Sequence, residues 1–223
     1  MPPPFLGLRP PAPADVAAAC EHGRARGHNY PSALVGTSDR DERRSRTQRA
    51  RLDASGKHRW AVDRARARVG RGRKCYERAE RALRGWEHFG LGWTRAEGTS
   101  GTEVGDSVCV VARVAGVWIR NPLRVVAFRK REGDEGGEVE VGGERAVKRF
   151  SFAHGTLGGH LLAGEERFAV ELTEDGDVFY EAYAFSRPAH ALSVIGYPIV
   201  RLLQKRFHRD STRAMRKILA GAE

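Results

Sequence analysis

The spacing of the apolar residues changes once in the second half of the chain, and that change limits the folds open to it. Between Ser107 and Phe185 the apolar residues fall in short strand-like runs, alternating cleanly from Glu166 to Leu172; beyond Ser186 they recur at every third or fourth residue. Period two lines one face of a strand, and period 3.6 lines one side of a helix. Strands followed by a helix, without strand–helix–strand alternation, give an α+β fold with the helix laid on an antiparallel sheet.

The strands can be placed one by one. Ser107 to Val114 is β-branched and lies between Gly105-Asp106 and Gly116. Leu123 to Phe128 is entered through Asn121-Pro122, and Val147 to Ala153 follows an acidic, glycine-rich loop over 131–146. Glu166 to Leu172 sets Phe168, Val170 and Leu172 against Arg167, Ala169 and Glu171. Glu174-Asp175-Gly176-Asp177 is a hairpin signal, with Val178 to Phe185 as the returning strand. Ser186 is the expected N-cap of the last helix, with Pro188 in its first turn and Pro198 as a kink or restart. Ile199, Leu203, Phe207, Ala214 and Ile218 form its expected apolar face, and Arg201, Lys205, Arg209, Arg213 and Lys217 largely another.

Upstream, Arg64 to Gly70 reads as a first strand. Lys74 to Phe89 reads as a helix, with Tyr76, Ala79, Leu83 and Trp86 on one side. The order is strand, helix, about six antiparallel strands, long C-terminal helix, as in the helix-grip fold of START and birch-pollen-allergen proteins. One α+β domain is expected over 59–223. Residues 1–58 read as a largely disordered Pro/Ala-rich lead and Arg-rich linker, from which Tyr30, Leu34 and Val35 can dock on the domain as an extended strip.

Three widely spaced cysteines, Cys20, Cys75 and Cys109, form no CxxC pair, so neither a disulfide framework nor a zinc site is expected. Cys75 follows Arg71, Arg73 and Lys74, a setting that lowers a thiol pKa, but small buried hydrophobes are the expected role. The longest stretch free of Asp, Glu, Lys and Arg is the 15 residues from Phe150 to Gly164, and a spanning helix needs roughly 20 apolar residues. The N-terminus lacks the apolar core of a secretory signal, so the chain is not expected to be secreted. The net charge of +11 is concentrated between Arg40 and Lys74, which hold 14 basic and 4 acidic residues. Such a run suits RNA phosphates or lipid headgroups, but with 33 Arg and only 6 Lys overall a solvated linker is the expected reading, and nucleic acid is not the expected partner.

The densest polar cluster is His154-Gly155-Thr156-Leu157-Gly158-Gly159-His160, followed by Gly164-Glu165-Glu166. On an extended strand the two histidines stand roughly 20 Å apart, too far for one metal. The expected roles are structural: glycines for turns, Thr156 and His160 bonded to loop backbone, Glu165 or Glu166 paired with an arginine. The glycine run lacks the Lys-Ser/Thr end of a phosphate loop, and Ser186 has no nucleophile-elbow context. No catalytic residue, metal ligand or cofactor site is expected, and the protein reads as non-enzymatic.

The motif carries a resemblance. The segments running His154, Gly155, Thr156, Leu157, Gly159, His160 to Gly164, Glu165, Glu166, Phe168, and Ser186-Arg187-Pro188, resemble the domain-of-unknown-function family DUF1990. Support comes from Val69-Gly70-Arg71-Gly72-Arg73, His88-Phe89-Gly90-Leu91-Gly92-Trp93 and Gly196-Tyr197-Pro198. The wording is similar to the plant and algal branch, which includes a cation-selective pore of the chloroplast outer envelope. The resemblance thus implies that location and activity, with the motif's role unknown; otherwise a cytosolic place is expected. Strand lengths and the charges Arg113, Arg124, Arg149 and Glu171 fit a membrane barrel poorly. The alternative is a helix-grip domain binding an apolar or amphipathic small molecule or lipid. Expected partners are therefore a membrane surface, a lipid or a small apolar ligand; the oligomeric state stays open.

Overall fold

The computed structural model describes residues 5–39, 60–98, 100–132, 140–141 and 144–220. The Arg-rich stretch 40–58 and most of the acidic loop fall outside the described residues. The elements are β1 (Leu6–Gly7), α1 (Pro13–Arg26), β2 (Ala61–Arg71), α2 (Arg73–Arg84), β3 (Thr94–Glu97), β4 (Ser107–Val114), β5 (Val117–Glu132), β6 (Glu140–Val141), β7 (Glu144–Thr156), β8 (Leu162–Thr173), β9 (Asp177–Pro188), α3 (Ala191–Ile195) and α4 (Tyr197–Leu219). Seven strands form one antiparallel path, β2-β9-β8-β7-β5-β4-β3. The sheet curls around α4, which gives the expected α+β helix-grip architecture.

The period-two segments dictate the two faces. Phe150 and Phe152 of β7, Phe168 and Val170 of β8, and Val178, Tyr180 and Ala182 of β9 project inward. There they meet Tyr76, Ala79 and Leu83 of α2 and Phe207, Met215 and Leu219 of α4. Burying each such aromatic or aliphatic side chain contributes roughly 1.5–3 kcal/mol.

The outer face is also buried, and there the alternate positions are ionic. Arg149 and Arg66 reach Glu171 at 3.4 and 3.5 Å. Glu181 takes Arg64 at 2.5 Å and also pairs with Arg167. Burial pushes the Glu181 carboxyl up, but Arg167 and Arg64 outweigh it and hold the carboxyl below its usual range. The arginines of β2, which follow directly on the expected linker, are thus strand residues facing acids on β8 and β9.

The N-terminal lead corrects the expectation of disorder for residues 5–39. Pro13 opens α1, Asp15 accepts the Ala12 backbone N–H at 2.8 Å, and alanines carry the helix. Its Val16, Ala19 and Cys20 pack with Phe5 on Cys109, Val111 and Trp118 of the outer face. The lead reads as disordered because its Pro/Ala composition matches linkers, yet Pro in the first turn and Ala after it also make a good helix. All three cysteines are free and buried.

Three boundaries differ from expectation. Strand β5 runs through Asn121-Pro122 instead of starting after it. Pro122 pairs with Cys109 at the very end of β7, where its carbonyl still accepts the Leu157 N–H at 3.1 Å and its missing N–H removes only the reciprocal bond. Helix α2 stops at Arg84, because Trp86 takes a left-handed φ of 57° and a 3-10 turn follows over Glu87–Phe89. Ser186 caps no helix: it lies in β9, paired with Ala61 and Gly164. His190 caps α3 instead, its Nδ1 accepting the Leu192 N–H at 3.2 Å, and α4 restarts beyond Gly196 with Pro198 in its first turn.

Candidate functional site

Between the inner face of the sheet and α4 lies a cavity of about 220 Å³. Val110 and Ala112 of β4, Ile119 and Leu123 of β5, Phe89, and Leu203 and Phe207 of α4 make its wall apolar. An apolar cavity of about 150 Å³ already takes up benzene, so this one has room for a small organic molecule. Where β7, β8 and α4 meet, one corner is polar.

That corner holds His154, Glu166 and His208. His154 and Glu166 pair across β7 and β8, and the inward-facing register points both at α4. His208 Nε2 lies 3.0 Å from Glu166 Oε1. His154 Nε2 lies 3.8 Å from Glu166 Oε2, beyond hydrogen-bond reach. Neither nitrogen of the buried His154 ring has a hydrogen-bond partner among the described residues.

The electrostatics sort these groups. Burial holds His154 below its usual pKa, against the opposing charge of Glu166, so its ring is neutral near pH 7. Burial also lowers His208, but the hydrogen bond and charge of Glu166 outweigh it and leave His208 above its usual value. His160 is depressed by desolvation and by His154 nearby; its Nδ1 accepts the Leu162 N–H at 2.9 Å. The corner therefore offers a paired Glu166–His208 and a neutral imidazole with one donor and one acceptor free. Among the described residues no cluster of three or more His, Cys, Asp or Glu has the arrangement of a metal site.

The sequence motif divides between the two faces of the sheet. His154, Thr156, His160, Gly164, Glu166 and Ser186 line the cavity, and Phe168 packs in the core beside it. Glu165 faces outward and is 3% exposed. It accepts the Tyr30 hydroxyl at 2.8 Å and the backbone N–H groups of Gly36 and Ser38 at 2.5 and 3.0 Å. Among the described residues neither glutamate pairs with an arginine: Glu165 anchors the lead and Glu166 serves the histidines. Thr156 donates to Asn29 Oδ1 and accepts the Gly164 N–H.

The remaining motif residues explain themselves by close approach. A Cβ on Gly155 would stand 2.1 Å from the Tyr30 hydroxyl, and one on Gly159, at φ 98°, would strike the Phe5 ring. Leu157 is fully buried and bridges to His28 of the lead. Ser186 accepts Gln204 Nε2 at 2.7 Å, Arg187 stacks over Trp60 at 4.6 Å, and Pro188 ends β9 opposite Leu162. The sequence points to Gln204 only through the family-like segment Gln204-Lys205-Arg206-Phe207, and not to His208. The face expected to be apolar is turned: Phe207, His208, Ser211, Met215 and Leu219 are buried, whereas Ile199 is 60% exposed.

A family model for the domain of unknown function DUF1990 matches residues 46–214. The chain belongs to the DUF1990 family. A UPF0548 protein of Arabidopsis thaliana is 38% identical over 189 residues, 85% of this chain and 86% of that one. A UPF0548 protein of Deinococcus radiodurans is 32% identical over 211 residues, 93% of this DUF1990 chain and 96% of its own. Among solved structures, TTHA0849 from Thermus thermophilus is similar over 73% of this chain and 99% of that one, at 13% identity and a TM-score of 0.46.

Proposed function

We propose that this DUF1990 chain is a non-catalytic binding protein that holds one small amphipathic molecule in the cavity under α4. The cavity carries the reading: an apolar chamber of about 220 Å³ with one neutral, hydrogen-bonding corner. Ligand sites of this kind are mostly apolar, with a few polar groups that fix orientation. Glu166 is matched by His208, and His154 is held neutral, so the corner suits an uncharged hydroxyl or carbonyl rather than an ion.

The envelope pore implied by resemblance fits this geometry less well. A barrel that spans a membrane closes on itself and turns apolar side chains outward. The described sheet is an open path from β2 to β3, its inside is packed with aromatic rings and α4, and its outside carries buried ion pairs. No helix among the described residues is long and apolar enough to cross a membrane.

The test is a comparison of a medium-chain alcohol with the alkane and the carboxylate of the same length, by calorimetry. The alcohol should bind tightest, and His154→Phe should erase a preference of roughly tenfold, the worth of one net hydrogen bond. Equal affinity for alcohol and alkane in the unmodified protein would remove the assigned role of His154.

A further inference from the structure

At the end of β9 the chain turns into α3 and α4, and there large apolar side chains point outward. Leu192, Val194 and Ile195 of α3 and Ile199 and Leu202 of α4 are 52–82% exposed. Single exposed apolar residues are ordinary, but five within eleven consecutive positions form a patch.

The outward side of α4 then changes character. Beyond Leu202 it presents Lys205, Arg206, Arg209, Arg213, Arg216 and Lys217, all exposed. Asp210 is the only acid in the helix. Ile199, Leu202, Arg206, Arg209 and Arg213 follow one another by three or four residues, so apolar tip and cationic stripe share one face. The patch also adjoins the cavity, whose lining reaches the partly exposed Leu161, Leu162, Val200 and Leu203.

We propose that this face docks on an anionic lipid bilayer, with α3 and the first turn of α4 dipped into the interface and the cationic stripe resting on the headgroups. An apolar edge beside a row of Lys and Arg is the arrangement that lies in a membrane interface, the apolar part about 5–10 Å deep. Charge selects this occupant over a second copy of the chain. A two-fold dimer that buries the whole face sets its cationic stripe against the partner's stripe or the partner's apolar tip, and neither complements it. Docking stands without the cavity reading and adds to it a route by which an amphipathic ligand reaches the cavity from a bilayer.

The experiment is flotation of the full chain with vesicles of phosphatidylcholine alone and of phosphatidylcholine with phosphatidylserine. The chain should float with the anionic vesicles, less so as salt rises, and not with the neutral ones. Ile195→Asp with Leu202→Asp, and separately Lys205→Glu with Arg209→Glu and Arg213→Glu, should each weaken binding at least tenfold. All these positions are exposed, so unchanged melting curves and unchanged binding of a cavity probe should accompany the loss. No flotation of the unmodified chain overturns the proposal. So does binding that both variants retain, which would place the contact elsewhere, and so does a dimer that the Asp variant turns into a monomer. None of these outcomes depends on whether the cavity probe binds.

Discussion

His88 is fully buried among Trp86, Phe89, Phe168 and Tyr180, and neither of its nitrogens has a hydrogen-bond partner among the described residues. Burial, and after it the charge of His154, hold it well below its usual pKa. A histidine depressed in the fold takes its proton more readily when unfolded. Its contribution is full above the unfolded value of about 6.5 and is lost as pH falls through the folded value. His154 and His160 act in the same direction. His208 is raised, so its contribution is full below about 6.5 and is lost as pH rises through its folded value. His28, lowered by burial, joins the depressed group, so four depressed histidines stand against one raised. Together they predict a melting temperature that drops from pH 7 to pH 5, against the opposing pull of Glu165 and Glu171, whose carboxyls burial raises. His88→Leu should flatten that drop by about one proton, about 1.4 kcal/mol per pH unit, and stabilise the fold at pH 7 by roughly 1–3 kcal/mol, because two unpaired buried nitrogens leave. Melts followed by circular dichroism at the two pH values check both; an unchanged drop counts against the assignment. At Gly164, φ is 149° and a Cβ would lie 2.0 Å from the Phe185 carbonyl oxygen of the paired strand. Gly164→Ala should cost roughly 2–4 kcal/mol in urea unfolding, since backbone cannot yield as a side-chain tip can.

At the scale of elements, the lead residues 28–39 form a strap across the outer face of β7 and β8. Tyr30 and Leu34 pack on Ala163 and Phe185, Asp39 accepts Arg129 at 2.9 Å and Ser151 at 3.1 Å, and Glu165 gathers three donors. Tyr30→Phe removes one donor from a buried carboxylate and should cost roughly 1–3 kcal/mol. A melting temperature equal to the unmodified protein's would mean that the strap contributes nothing. The strap was only half legible in the sequence. Tyr30 and Leu34 stand out as apolar residues in a polar setting, but Glu165 reads as the partner of an arginine, because its actual donors lie more than 120 residues away. Strand β4 was legible to the residue, since a valine-rich run bounded by Gly105-Asp106 and Gly116 admits little else. The buried side of α4 was not. Its sheet-facing residues include Gln204 and His208 at the cavity and the buried Ser211, so a reading by hydrophobicity turned the helix toward Ile199. Polar groups at a site defeat such a reading for the reason that makes them a site.

At the scale of the whole molecule, the sheet separates two chemistries. Outside, Arg149, Arg167, Glu171 and Glu181 form a buried ionic layer; inside, aromatic packing meets α4 from Phe207 to Leu219 and leaves the cavity beneath the part of the helix from Val200 to His208. Removing one partner of a buried pair leaves the other uncompensated, so Glu171→Leu should destabilise by roughly 3–5 kcal/mol while leaving the cavity's affinity unchanged in whatever fraction stays folded. The order of strands and helices could be read from residue spacing. The cavity could not, because it is set by how far α4 stands off the sheet. The most direct test of the binding claim is a fluorescence titration with N-phenylnaphthylamine, an uncharged probe that brightens in apolar surroundings, on the unmodified protein and on Leu203→Trp. Leu203 lines the cavity and is partly exposed, so the larger ring fills the chamber from the helix side. The account predicts saturable binding of one probe per chain, lost in Leu203→Trp at an unchanged melting temperature. Binding that the tryptophan does not disturb, or no saturable binding at all, would contradict it.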